Sequence, residues 1–290
     1  MHGTIETTCF DLDLTLASGQ VFRCRKEGGS WTVCSRDRLI RLRQDGPRLE
    51  FSGAGEAFVR RFLGLDDDTA DALERLERIP RLRPAIRACR GLRIVRHDPW
   101  ECLVSFICST RSNIPKIARS LDLLARRFGR PISGGGGVCA FPEPGSLDDL
   151  DLLRSTGVGY RAEYLFETNR LCTEERLAAI GRLPYEQARE ALKEFPGVGD
   201  KVADCVCLFA FGFREAFPVD VWVRRAMLAL YPRSGTRESE IRRAALRLFG
   251  PDAGYAGQYL FHHRRLCEGK APGEGENLGE GKAPGRGAAL

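Results

Sequence analysis

Long apolar runs are missing from this 290-residue chain. One of its longest, Cys205-Val206-Cys207-Leu208-Phe209-Ala210-Phe211, is far short of the roughly 20 residues a membrane-spanning helix needs, so no membrane partner is expected. The opening Met1-His2-Gly3-Thr4-Ile5-Glu6 has neither the basic start nor the apolar block of a secretory signal. An intracellular protein is expected, in the cytoplasm or nucleoid of a prokaryote or in the nucleus of a eukaryote. Histidine is scarce, with only His2, His97, His262 and His263, so no metal cluster suggests itself. The 11 cysteines are scattered and odd in number, which argues against a disulfide framework. Cys205 and Cys207 stand too close on a predicted helix to share a face, and only Cys267 follows them. A four-cysteine iron–sulfur cluster near the C-terminus is thereby excluded.

What the chain does have is positive charge. Its 45 Lys and Arg exceed its 39 Asp and Glu by six. The segment 268–290 carries a net −1, which leaves +7 on the rest, most of it arginine. The planar guanidinium fork suits phosphate, and the balance favours a nucleic-acid partner.

Pattern divides the chain. Period-two runs at Phe10–Leu16, Gly19–Arg23, Trp31–Val33 and Leu39–Leu42, bounded by Gly28-Gly29 and Asp45-Gly46-Pro47, predict an antiparallel sheet with hairpins. From Gly55 the pattern turns helical. Asp98-Pro99 opens a helix and Asn113 caps the next, which ends near Phe128-Gly129. Further helices are expected near 146–155, 160–170, 173–180, 185–194, 200–211, 220–230, 236–249 and 252–266. The predicted class is α+β: an N-terminal antiparallel sheet domain with helices over 1–97, then a mostly helical domain over 98–267. The tail, 268–290, repeats Gly-Lys-Ala-Pro-Gly and is too poor in apolar residues to order itself.

Phe195-Pro196-Gly197-Val198-Gly199-Asp200-Lys201 joins two amphipathic helices. The two glycines permit a tight turn with positive φ, and Asp200 can cap the following helix. Amides exposed in such a helix–hairpin–helix unit suit a phosphate oxygen. A plain connecting turn is the alternative. Lys201 then opens a helix of largely apolar residues, with Cys205 on its face one turn on. Pro218-Val219-Asp220 follows, with Asp220 where a helix N-cap belongs. Simple capping and a solvated lysine are the alternatives for those two residues.

Together the hairpin, Lys201 and Pro218-Val219-Asp220 resemble the helix–hairpin–helix DNA glycosylase superfamily, and within it the 8-oxoguanine DNA glycosylase family. Ser18-Gly19-Gln20-Val21-Phe22-Arg23, the run Asp98–Ser109, Gly159-Tyr160-Arg161-Ala162 and Lys201–Leu208 extend the resemblance over roughly residues 9–266. It implies a repair enzyme that flips 8-oxoguanine out of duplex DNA, excises it, and nicks the strand by β-elimination. Lys201 would attack C1′ to give a Schiff base, and Asp220 would steady the positive sugar. An ordinary lysine amine is overwhelmingly protonated at pH 7, so a water-poor cleft is expected around Lys201.

By the same resemblance Cys205 and Phe261 take the two faces of the extruded base, the Gly19 carbonyl accepts the hydrogen on its N7, and Phe209 and Gln258 line the pocket. Arg111, Asn113, Lys116, Tyr160, Arg161 and Trp222 would face DNA, together with Gly197 and Gly199 of the hairpin. No cofactor is expected beyond a candidate monovalent cation at the hairpin, and the protein is expected to act as a monomer on double-stranded DNA containing oxidised guanine. Departures cluster at the opposite-base contacts. Arg111-Ser112-Asn113 stands where the family has three asparagines, Lys116 replaces an arginine, Gly257 a glutamine and Trp222 a histidine. Weaker selectivity for cytosine opposite the lesion is expected. Rival readings are a monofunctional alkylpurine glycosylase, which would not need Lys201, and a non-catalytic helix–hairpin–helix DNA-binding protein.

Overall fold

The computed structural model describes residues 1–268. Five strands, β1 (His2–Glu6), β2 (Cys24–Glu27), β3 (Ser30–Ser35), β4 (Arg38–Asp45) and β5 (Arg48–Ser52), form one antiparallel sheet in the order β1-β5-β4-β3-β2. The expected glycine turns are present: Gly28, Gly29 and Gly46 all have positive φ. One sheet face is buried. Val33, Ile40, Leu42, Leu49 and Phe51 pack with Ile5, Trp31 and helix α2, taking α1 as Leu12–Ala17 and α2 as Glu56–Phe62.

Two expected strands are corrected. Phe10–Leu16 alternates like a strand, yet most of it forms α1, because Asp11 accepts the Leu14 amide at 2.8 Å and caps a helical turn. Its buried residues Leu12, Thr15 and Leu16 have helical spacing. Gly19–Arg23 forms no strand either. Its backbone is held from within by the buried Gln20, whose amide donates to Ser18 Oγ and to the Arg93 carbonyl, both at 2.8 Å, while its Oε1 accepts from the Val95 amide at 3.0 Å. The sheet takes instead β1, β2 and β5, which were not among the expected runs.

The remainder is helical: α3 (Thr69–Glu77), α4 (Arg83–Ala88), α5 (Pro99–Ser109), α6 (Ile114–Phe128), α7 (Leu150–Ser155), α8 (Arg161–Leu171), α9 (Glu174–Ile180), α10 (Tyr185–Leu192), α11 (Asp200–Val206), α12 (Val221–Leu230), α13 (Glu238–Phe249) and α14 (Ala253–Cys267). Helix α5 is the axis of this part, with every residue from Trp100 to Cys108 buried. A second core around it draws on α3 and α4 as well as on the later helices. The helix expected over 200–211 is continuous but changes winding. It is α-helical to Val206 and π-helical over Cys207–Phe211, ending at Gly212 with φ +82°. Such a wide turn is common beside functional sites.

Among the described residues no helix is long and apolar enough to cross a membrane, and no group of three or more His, Cys, Asp or Glu is placed to hold a metal ion. The expected disordered tail lies outside the described residues except for Glu268, which ends α14 and pairs with Arg264 at 2.6 Å.

Candidate active site

The hairpin between α10 and α11 is fixed from two sides. Gly197 has φ +79°, a conformation that side-chain-bearing residues rarely adopt, and a β-carbon there would meet the Tyr164 ring at 2.9 Å. Gly199 does not share this need. Its φ of −97° is ordinary, and it, rather than Asp200, is the N-cap of α11. Asp200 turns back instead to α10, pairing with Arg189 at 2.8 Å and Lys193 at 3.0 Å. Below it the buried Asp204 accepts from Tyr185 Oη at 2.7 Å and from Arg189 Nε at 3.0 Å. One arginine thus ties both helices of the hairpin unit together.

Lys201 projects from the first turn of α11 toward the end of α5. Its Nζ donates to Ser109 Oγ at 2.8 Å and lies 4.9 Å from the centroid of the Phe106 ring. Ser109 in turn donates to the Phe106 carbonyl at 2.7 Å, which leaves its oxygen lone pairs turned to the amine. Asp220 caps α12 by accepting the Val223 amide at 2.8 Å. Burial raises the pKa of its carboxyl, while the Val223 amide and the charges of Lys201 and Arg265 oppose the rise. Cys205 is buried, and its thiol is pushed up to about 12 by desolvation, with Lys201 opposing and Asp220 adding to the shift. Lys201, Asp220, Cys205 and Arg265 therefore share one electrostatic environment. The sequence singled out the first three.

Gly19 and Phe261, 242 positions apart in the chain, meet. A β-carbon on Gly19 would lie 3.4 Å from the Phe261 ring, 3.0 Å from Ile114 and 3.4 Å from Arg265 Nη1, and its φ is +76°. The left-handed φ favours glycine here, and α6, α14 and the loop after α1 come together around it. Gln258, buried in α14, donates to the Ser18 carbonyl at 3.0 Å, so it holds this loop against the helix. Phe209 is also buried. It stacks on Phe106 with centroids 5.4 Å apart, behind the ring that carries Lys201. Gly257 packs where a β-carbon would meet the Phe217 ring at 3.0 Å, so a longer residue there would require that ring to give way.

The expected DNA-facing residues divide. Arg111 is exposed with φ +48°, Lys116 is exposed, and Asn113 is exposed with its side-chain oxygen capping α6 through the Lys116 amide at 3.0 Å. Tyr160 is 52% exposed and stands edge-on to Tyr164, beside the hairpin. Trp222 lies at the start of α12 under the Arg225 guanidinium, 5.4 Å from its carbon. Arg161 is placed differently: it is buried, donating to the Val158 carbonyl at 3.0 Å and to the Thr110 carbonyl. In this form it braces the Thr110–Asn113 loop from beneath, and its cation lies against the Tyr160 ring at 4.5 Å. Ser109, Phe106, Ile114 and Arg265 are the site residues that sequence reasoning missed. Helical spacing offers one signal for Arg265, which follows Phe261 by four, and none for Ser109.

A family model described as 8-oxoguanine DNA glycosylase, N-terminal domain, matches residues 4–103. The chain is 30% identical over 279 residues to the N-glycosylase/DNA lyase OGG1 of Arabidopsis thaliana, with 86% of this chain and 76% of that protein aligned. It is 39% identical over 200 residues to a probable N-glycosylase/DNA lyase of Methanothermobacter thermautotrophicus, covering 61% of this chain and slightly under two thirds, 64%, of that protein. Among solved structures, the 8-oxoguanine glycosylase/lyase of Clostridium acetobutylicum, in complex with double-stranded DNA containing cytosine opposite to 8-oxoG, superimposes with a TM-score of 0.85. That similarity has 29% sequence identity and covers 92% of this chain and 98% of the other.

Proposed function

The chain belongs to the 8-oxoguanine DNA glycosylase family, and we propose that it is a bifunctional DNA glycosylase and abasic-site lyase that removes 8-oxoguanine from duplex DNA. The observation that carries this reading is the meeting of Lys201, Asp220 and Cys205 near the Gly19–Phe261 contact, at the foot of the helix–hairpin–helix turn.

The chemistry follows from that placement. The target nucleotide leaves the stack, and its base enters between Phe261 and Cys205, with the Gly19 carbonyl as acceptor for the N7 hydrogen that guanine lacks. That single hydrogen bond supports a discrimination of about 5- to 150-fold, because guanine would leave the carbonyl unpaired. As the bond from C1′ to the base lengthens, positive charge grows on the sugar, and the Asp220 carboxylate stabilises it from a fixed position. Lys201 Nζ, oriented by Ser109, forms the new bond to C1′. The sugar ring opens to a Schiff base, and loss of a C2′ proton expels the 3′ phosphate.

No cofactor takes part in these steps. The hairpin carbonyls of Phe195, Pro196 and Gly199 accept bonds from the Val198 amide, Thr168 Oγ1 and the Ala203 amide, and each keeps a lone pair with which to hold a monovalent cation. When bound, such a cation would add positive charge beside a backbone phosphate. The protein acts as an intracellular monomer on double-stranded DNA containing oxidised guanine. Duplexes bearing 8-oxoguanine, an alkylated adenine or uracil, assayed separately for free base and for nicked strand, test this. Release of 8-oxoguanine with nicking is expected, and release of only the alkylated base, or binding without release, would overturn it.

A further inference from the structure

Arg265 stands beside both Gly19 and Phe261, and no step above uses it. It follows Phe261 by one turn of α14, so the two side chains share a face, and its guanidinium carbon lies 5.3 Å from the Phe261 ring centroid. Its Nη1 reaches to 3.4 Å from the point a Gly19 β-carbon would occupy. Among the described residues its hydrogen-bond partner is the Ala17 carbonyl, at a long 3.4 Å. Its pKa is lowered by burial, with Asp220 acting in the opposite sense. A guanidinium stays charged even so, and it carries five donors. The residue is half-buried, so its remaining donors are open to water or to an incoming acceptor. Beside it stand Phe261 and Gly19, the two residues assigned above to the extruded base.

The extruded base acquires negative charge. Lys201 Nζ forms a bond to C1′ while the C1′–N9 bond breaks, and the electron pair of the broken bond leaves on the purine. The proton shed by the amine ends on the departing base, so charge balances over the step. Before that proton arrives, the negative charge spreads over the purine nitrogens and its exocyclic oxygens. An 8-oxopurine with a 6-oxo group has two such oxygens, and an alkylated adenine has none. We propose that Arg265 touches the extruded base, donating to an exocyclic oxygen and stabilising the charge the base acquires as its bond to C1′ breaks. Arg265 thereby selects oxopurines over alkylated adenines. The inference rests on the base-excision reading given above.

A charge-assisted hydrogen bond of this kind is worth about 10- to 150-fold in rate. The test compares wild type, R265L and R265K on two duplexes, one with 8-oxoguanine and one with a preformed abasic site. The second holds no base, so Arg265 has nothing to touch there, yet nicking still requires Lys201. In single turnovers, R265L is expected to release 8-oxoguanine about 10- to 150-fold more slowly, while its abasic nicking falls less than about threefold. R265K, which keeps the charge without the planar fork, should lie between R265L and wild type. Equal release by R265L and wild type would overturn the proposal. So would parallel loss of both activities, which marks a structural role, or an R265L defect that disappears as pH rises, which assigns the effect to ionisation of Asp220. If wild type itself releases no 8-oxoguanine, the base-excision reading fails instead.

Discussion

Lys201 Nζ and Ser109 Oγ lie 2.8 Å apart although 92 positions separate them in the chain. The contact brings the start of α11 to the end of α5, so the hairpin before α11 and the loop carrying Arg111 are set from the same point. The Ser112 amide donates to the Ser109 carbonyl at 3.3 Å and closes that loop's first turn.

Ser109→Ala removes the acceptor that orients the amine without touching the buried core. A neutral hydrogen bond contributes about 0.5–1.5 kcal/mol, so a loss of about 2- to 10-fold is expected in single-turnover excision, with the unfolding midpoint little changed. Equal rates for S109A and wild type would show that the amine is oriented without Ser109.

Asp220 sits where function and stability oppose one another. Burial holds its pKa above the ordinary carboxylate value of 3.8, so the carboxylate is lost as pH falls through that raised value. The acid limb of the excision profile should therefore lie at higher pH than an unperturbed aspartate gives. For stability the sign reverses. Above the unfolded pKa, the folded state holds this proton more tightly than the unfolded one, so an ionised Asp220 is a net cost. Asp220→Asn keeps a capping oxygen for Val223, and it is expected to lose about 100- to 1,000-fold in excision while unfolding at the same or higher temperature at pH 7.

In the hairpin, Gly197→Ala meets both a positive φ and the Tyr164 ring, and about 1–2 kcal/mol of strain is expected. Weaker binding to undamaged duplex, measured at fixed salt, should accompany lower stability. Gly199→Ala has an ordinary φ and open space around the new methyl, so its unfolding midpoint should stay close to wild type. Reversed behaviour of the two variants would contradict the geometry.

Legibility in the sequence followed the range of the forces involved. Caps and turns act over a few residues, so the starts of α5 and α6 could be read from Asp98-Pro99 and Asn113, and the hairpin from its glycines. Phe10–Leu16 misled because an acidic residue between leucines reads as strand alternation, while the deciding event is Asp11 capping the Leu14 amide. Gln20 misled for a different reason: its side chain takes the hydrogen bonds that a strand partner would supply. Ser109 acquires meaning only when distant helices meet, and no local pattern marks it; Arg265 is marked only by its spacing of four from Phe261. The burial of Arg161 beneath Thr110 is equally a product of packing.

That burial bears on the base opposite the lesion. With Arg161 bonded to the Val158 and Thr110 carbonyls, and lysine at position 116, the loop from Arg111 to Lys116 has few free groups of fixed geometry with which to read an orphaned base. Excision rates are expected to be comparable with cytosine, adenine, guanine or thymine opposite 8-oxoguanine. A strong cytosine preference in single-turnover assays would mean that Arg161 leaves its carbonyls when DNA binds.

The central claim is that Lys201 Nζ forms a covalent bond with C1′, and reductive trapping reads this directly. Wild type incubated with an 8-oxoguanine duplex and borohydride should give one protein–DNA adduct that survives denaturation, and folded Lys201→Ala should give none while still binding the duplex. An equally abundant adduct from Lys201→Ala, or release of free base by wild type with no trappable adduct, would contradict the account.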